Sequence, residues 1–151
     1  MYTGMALSQD LSKLRVIDLI VRDPVTIDSE ASIVDVANKM IKEKVGSIIV
    51  TVDGIPKGII TEGDIVKKVV AKNLKPSEVK ARDIMSTPLQ FVLYDATLEE
   101  AVRIMDENNI SHLAVFKNDK LIGVITSSDI LHIAPSLIEY LKVRPRGGKI
   151  I

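Results

Sequence analysis

The chain has 151 residues, 46% hydrophobic and 26% charged, which suits one compact domain or a tandem pair with a sizeable core. Lys+Arg and Asp+Glu are equal at 20 each, so there is no general electrostatic footprint for nucleic acid or an anionic membrane. Cysteine is absent, excluding disulfides, thiolate nucleophiles and Cys-based zinc sites. No apolar run approaches the ~20 residues that span a bilayer, residues 1–10 lack a signal-peptide pattern, and a cytoplasmic protein is expected.

In chain order, residues 1–15 form an N-terminal segment, followed by the lead-in Asp18-Leu19-Ile20 and by Pro24. Ser32-Ile33-Val34-Asp35 has the form of a capping box, and Ile33, Val36, Ala37, Met40 and Ile41 recur behind it with helical spacing. That helix should end near Lys44. Ser47–Val52 then reads as a buried strand, Asp53-Gly54 as a hairpin turn, and Gly58-Ile59-Ile60-Thr61 as the returning strand. A second helix is predicted to start near Asp64, carrying Ile65, Val66, Val69 and Val70. Residues 72–80, polar and containing Pro76, are expected to be a linker.

The same order then returns. Gly58-Ile59-Ile60-Thr61-Glu62-Gly63-Asp64 recurs as Gly123-Val124-Ile125-Thr126-Ser127-Ser128-Asp129, each residue 65 positions later. At that offset Asp18-Leu19-Ile20 matches Asp83-Ile84-Met85, and Ser32-Ile33 matches Thr97-Leu98, while Pro24 and Pro88 are one position out of step. Leu98, Ala101, Val102 and Met105 carry the helix, which should end near Asn108-Asn109, His112–Phe116 the strand and Asn118-Asp119 the turn, with the last helix starting near Asp129 and carrying Ile130, Leu131 and Ile133. An internal repeat of this length fixes the architecture. The expected fold class is α+β. Each of two repeats is a small three-stranded sheet with helices on one face, and the pair packs with pseudo-two-fold symmetry. The boundaries are 16–71, 81–134 and a basic C-terminal tail, 135–151.

Thr61-x-x-Asp64 and Thr126-x-x-Asp129 are the strongest candidates for chemistry. On four residues alone, a helix cap is the commoner explanation. A ligand site is the rival reading. The carboxylate would accept from ribose hydroxyls, and the hydroxyl with helix-start N–H groups would hold a phosphate. Ser128 adds a hydroxyl where the first copy has Gly63. His112 stands where the first copy has Ser47; it reads either as a half-exposed polar residue or, when cationic, as a phosphate contact. Lys57, Lys67 and Lys68 would add positive charge near the first motif, solvated surface being their commoner role. His132 lacks neighbours at ligand spacing, and no metal site is expected. With no G-x-S-x-G elbow and no P-loop, an enzyme is not expected.

Two copies of G-h-h-T-x-x-D (h apolar) closing strand–helix–strand–strand–helix units resemble tandem CBS domains, the pair called a Bateman module. The lead-in Val79-Lys80-Ala81-Arg82-Asp83-Ile84-Met85-Ser86-Thr87-Pro88 and the segment Asn109–Val115 resemble the family's opening segment and central strand. The residues outside the two copies are too few to fold an effector domain, so a stand-alone regulatory module is expected, and the resemblance implies that it senses adenine nucleotides. It would sense AMP, ADP or ATP, or in some members S-adenosylmethionine or NAD-type ligands, in clefts between the repeats. By the same resemblance, Asp64 and Asp129 hold ribose hydroxyls, and Thr61, Thr126 and Ser128 lie near ribose and phosphate. Ile20, Pro24, Met85 and Pro88 wall the adenine, with Gly46-Ser47 and Ser111-His112 on the facing strand.

Asp23 sits where a phosphate would approach the first copy, and Ser47 replaces a basic residue common in the family. The site containing Asp129 and His112 is therefore expected to be the stronger. A homodimer signalling to an effector protein by a change in the angle between repeats is the leading expectation. A ligand-free interaction scaffold, or nucleic-acid binding through the basic tail, are the alternatives.

Overall fold

The fold is described from a computed structural model, for residues 13–19 and 23–133. Ile20, the basic tail 135–151 and residues 1–12 lie outside the described residues.

The first sheet is built from β1 (Thr26–Asp28), β2 (Ser47–Val52) and β3 (Ile55–Thr61), with β2 central, parallel to β1 and antiparallel to β3. Between β1 and β2 runs helix α1 (Ile33–Glu43), capped by Ser32 Oγ, which accepts from Asp35 N–H at 3.1 Å. Its apolar stripe buries Ile33, Val36 and Met40 against Ile48, Val50 and Ile60 of the sheet. The helix stops in a Schellman arrangement. Lys44 is left-handed (φ 58°), and Val45 N–H reaches back to the Met40 carbonyl at 3.0 Å. Asp53 (φ 51°) and Gly54 (φ 80°) both take positive φ, the geometry of the two-residue hairpin turn that suits twisted strands. After β3 comes α2 (Glu62–Ile65), which widens into a π-helical stretch, Val66–Val70.

The second sheet repeats this closely: β4 (Phe91–Leu93), α4 (Leu98–Asn108), β5 (His112–Lys117), β6 (Lys120–Thr126) and α5 (Ser127–Ile133), with β5 central. A short helix, α3 (Ala81–Ile84), precedes β4. Asn109 (φ 54°) ends α4 as Lys44 ends α1, and Ile110 N–H bonds the Met105 carbonyl at 2.9 Å. Even the irregularity is copied. The hairpin register slips between Val50 and Thr51 and again between Val115 and Phe116, 65 positions on.

Two departures from the sequence reading stand out. The helices after the motifs begin at Glu62 and Ser127, two residues before the expected Asp64 and Asp129, because the Thr is the residue that caps. In the first copy Val69 is buried, but Val66 and Val70 are 58% and 65% exposed, so the expected apolar face is only partly used.

The compact units do not follow the sequence repeats. One spans residues 24–90; the other joins the N-terminal lead-in to residues 91–133. In each unit the lead-in of the opposite copy binds the start of the first helix, through bonds that match pair by pair. Ile33 N–H donates to the Val79 carbonyl and Leu98 N–H to the Leu14 carbonyl; Ala81 N–H donates to Ala31 and Val16 N–H to Ala96. Lys80 bridges Ser32, and Arg15 bridges Thr97. Both lead-ins are tightened alike, with Asp83 Oδ2 accepting from Lys80 N–H and Asp18 Oδ2 from Arg15 N–H, each at 2.9 Å. Val79, Ala81 and Ile84 are buried in the core of the first unit, and Val16 and Leu19 in that of the second.

Candidate functional site

In both copies the motif threonine ends the hairpin, and the aspartate three residues on closes a reciprocal cap. Thr61 N–H donates to Asp64 Oδ2 at 2.9 Å, while Asp64 N–H donates to Thr61 Oγ1 at 3.2 Å. In the second copy Thr126 N–H donates to Asp129 Oδ2 at 3.0 Å and Asp129 N–H to Thr126 Oγ1 at 3.1 Å. Four partly buried groups thus satisfy one another at each helix start, where N–H groups would otherwise lack partners.

The strand opposite supplies the next layer. Ser47 pairs directly with Thr61 and His112 with Thr126, so each side chain shares a sheet face with its partner threonine. Ser47 is buried and His112 half-buried. Gly46 and Ser111 act through their carbonyls, which accept from Glu62 N–H at 3.1 Å and Ser127 N–H at 2.9 Å. Of the first three helix N–H groups in each motif, two are therefore already committed, one to this carbonyl and one to the threonine. A phosphate at this helix start therefore competes with bonds already made.

The arrangement keeps chemical capacity. A hydroxyl that accepts an N–H still has its own proton to donate, and a carboxylate offers about four lone-pair positions, of which the cap uses one. The side chains of Thr61 and Thr126 can thus donate to an anion while Asp64 and Asp129 accept from hydroxyls. Ser128 is exposed at the mouth of the second motif; in the first, a Cβ at Gly63 would meet nothing closer than Thr61 Oγ1 at 3.7 Å.

The remaining candidates divide by unit. Pro24, Gly46, Ser47, Met85 and Pro88 lie in the unit of Thr61 and Asp64, whereas Ser111, His112 and Ser128 lie in that of Thr126 and Asp129. Ile49 N–H bonds the Val25 carbonyl at 2.8 Å, which brings Pro24 toward the Ser47 end of β2. Met85 packs onto the core of the first unit. Its backbone continues into a bridge with β3, where Ser86 N–H donates to the Ile59 carbonyl at 2.9 Å and Ile59 N–H returns the bond at 3.1 Å. Pro88 is exposed, after a Thr87 that donates its hydroxyl to the Lys57 carbonyl at 3.0 Å.

Lys68, expected either as charge near the first motif or as solvated surface, donates to the Ile84 carbonyl at 2.9 Å and lies 3.4 Å from Asp64 Oδ1. Its spacing of four from Asp64 was the available signal. A shallow open depression of about 320 Å³ is lined by Met40, Ile41, Lys44, Val45 and Glu62. Among the described residues no group of three or more His, Asp or Glu is placed to hold a metal ion, and no helix is long and apolar enough to cross a membrane.

Duplicated sheets with a reciprocal Thr–Asp cap at the end of each hairpin define the class, and comparison with known proteins agrees. The CBS domain model matches residues 16–71 and 81–136. The chain belongs to the CBS domain family, as a tandem pair. An uncharacterized protein of Methanopyrus kandleri is 41% identical over 119 residues, covering 78% of this chain and 61% of that protein; the chain therefore spans under two thirds of that relative's length. Among solved structures, a CBS domain protein from Pyrobaculum aerophilum complexed with AMP superposes with a TM-score of 0.74 at 28% identity, covering 83% of this chain and 97% of that one. A hexameric CBS-CP12 protein from bloom-forming cyanobacteria gives 0.75 at 30% identity, covering 83% and 74%.

Proposed function

We propose that this chain is a regulatory module, not an enzyme, that binds an adenine nucleotide of the AMP, ADP or ATP class at its Thr-x-x-Asp motifs and reports it to an effector protein. The observation that carries this is the twice-built Thr–Asp pair set against a strand residue, Ser47 or His112, in a chain similar to a CBS protein complexed with AMP. Asp129 accepts from the ribose hydroxyls, the Thr126 and Ser128 hydroxyls donate to phosphate, and cationic His112 adds charge at that end. Asp64 and Thr61 offer the same pair in the first copy without the serine or the histidine, so the second motif is the stronger. At the first motif, aliphatic and proline side chains (Pro24, Met85, Pro88) supply the apolar walls for adenine. The module works as a homo-oligomer, most simply a dimer, in the cytoplasm, and needs no metal.

Bound nucleotide favours one conformation of the chain by as much as it binds that conformation better, and the partner reads the difference. Thermal unfolding with AMP, ADP, ATP, S-adenosylmethionine and NAD tests this. At saturation a ligand raises stability by RT ln(1 + [L]/Kd), about 2.7 kcal/mol at one hundred times Kd. No shift with any of the five contradicts the proposal.

One observation favours a second reading. The caps are complete without a ligand, so the motif can serve structure alone, in a scaffold whose surfaces bind protein. The same panel decides between the two.

A further inference from the structure

The two sheets are guarded differently along their first strands. In the first sheet β1 is an edge, and its polar groups are in use. The Thr26 carbonyl accepts from Lys39 Nζ, and Asp28 Oδ2 accepts from Glu30 N–H at 2.9 Å. Polar and charged side chains of this kind keep an edge from recruiting another strand. In the second sheet the same three positions, 65 residues on, are Phe91, Leu93 and Ile104. Ile104 packs onto the core, while Phe91 and Leu93 are 50% and 52% exposed on β4. Leu93 pairs with Phe116 of β5, and the rings of Phe91 and Phe116 meet edge to face with centroids 5.4 Å apart. With Tyr94, whose ring centroid lies 4.8 Å from Lys117 Nζ, these are all the aromatic residues among the described ones. Tyr94 N–H is committed to the Phe116 carbonyl, so by strand alternation the N–H groups of Phe91 and Leu93 face the open edge.

We propose that the β4 edge is the docking surface for an extended segment of the effector protein, apolar at alternate positions and acidic at the end that meets Lys117. The segment adds as a strand beside β4, accepts backbone bonds from Phe91 and Leu93, and lays its apolar side chains against theirs. Charge selects this occupant. Lys117 and Lys120 are exposed and stand directly opposite each other beyond the Leu93–Phe116 pair, and among the described residues neither forms an ion pair. Like charges so placed repel, and an acidic side chain relieves them. A second copy supplies no such acid. In a two-fold pairing of β4 with itself, the Lys117 end meets the start of the other strand, which follows Leu89-Gln90. The inference rests on the effector-protein part of the reading above and not on its nucleotide part.

Selection from a random decapeptide library against the whole chain, followed by fluorescence anisotropy on the peptides obtained, tests this. The expected peptides alternate apolar residues and carry an acid near one end. Phe91→Thr with Leu93→Asp, the residue types of the first copy, should weaken their binding at least about tenfold. Lys117→Glu guards against a double variant that fails to fold, and should weaken it roughly threefold in low salt and less in high salt. Enrichment of no peptide, or binding that survives either change, overturns the inference. So does an oligomer that dissociates on the double substitution while no peptide binds, which would make the edge an interface between copies. AMP calorimetry on the same wild-type chain separates the two readings. A chain that binds AMP but no peptide loses only this inference, and one that binds peptide but no AMP loses only the nucleotide reading.

Discussion

Gly58 and Met85 meet so closely that a Cβ on residue 58 would lie 2.8 Å from Met85 Sδ and 2.9 Å from the neighbouring Ser86 carbonyl oxygen. The glycine that opens the first motif is thus required by the lead-in of the opposite copy. The sulfur can yield, being the end of a flexible side chain, but the Ser86 carbonyl is held by Ile59 N–H. Gly58→Ala is expected to cost about 1–3 kcal/mol, seen as a lower urea midpoint at unchanged slope. Adding Met85→Ala should not restore it; full recovery would mean that the backbone contact is unimportant.

Gly63 is the opposite case, with open space around its missing Cβ. Gly63→Ser, which copies Ser128, is expected to be neutral or stabilising by up to about 0.5 kcal/mol, since serine is the better helix residue. It should also strengthen AMP binding at the first motif, read as the ligand-induced shift in melting temperature. A loss of stability would show that the first turn is more crowded than described.

Lys44 occupies a left-handed position that glycine adopts without strain. Lys44→Gly is expected to stabilise the chain by roughly 0.5–1 kcal/mol in chemical denaturation. Asn109→Gly should gain less, because asparagine tolerates that conformation well. Equal gains at the two sites would contradict this account of the caps.

Glu30 faces both Lys80 at 2.6 Å and Arg82 at 3.3 Å, pinning the second copy's lead-in to the first sheet. All three side chains are about half exposed, so Glu30→Ala is expected to cost no more than about 1 kcal/mol, and less in high salt. A cost that salt does not reduce would point to packing rather than charge.

Much of this fold was legible because each copy checks the other. The capping residues Ser32 and Thr97, the helix ends at Lys44 and Asn109, and the turn at Asp53-Gly54 follow from local chemistry, and all are observed. The exchange of lead-ins was not legible. Nothing local in Val79 or Leu14 says whether its carbonyl serves the nearer sheet or the farther one, and the structure pairs them with Ile33 and Leu98. The same exchange brings Met85 and Ile84 into the core of the unit that holds the first motif. The π-helical stretch was also hidden, because Ile65, Val66, Val69 and Val70 fit an ordinary helix equally well.

The central claim is that the Thr–Asp caps are binding groups as well as caps, and Asp129 separates the two roles. Calorimetry with AMP on wild type, Asp129→Asn and Asp129→Ala is the most direct measurement, with urea unfolding run on the same samples. The amide can still accept from Thr126 N–H, so Asp129→Asn should keep most of the stability that Asp129→Ala loses, about 1 kcal/mol. Both variants should bind AMP at least tenfold more weakly than wild type, because the carboxylate proposed to accept from the ribose hydroxyls is gone. Wild-type affinity in Asp129→Ala, or no binding by any of the three, would leave the motif as a helix cap alone.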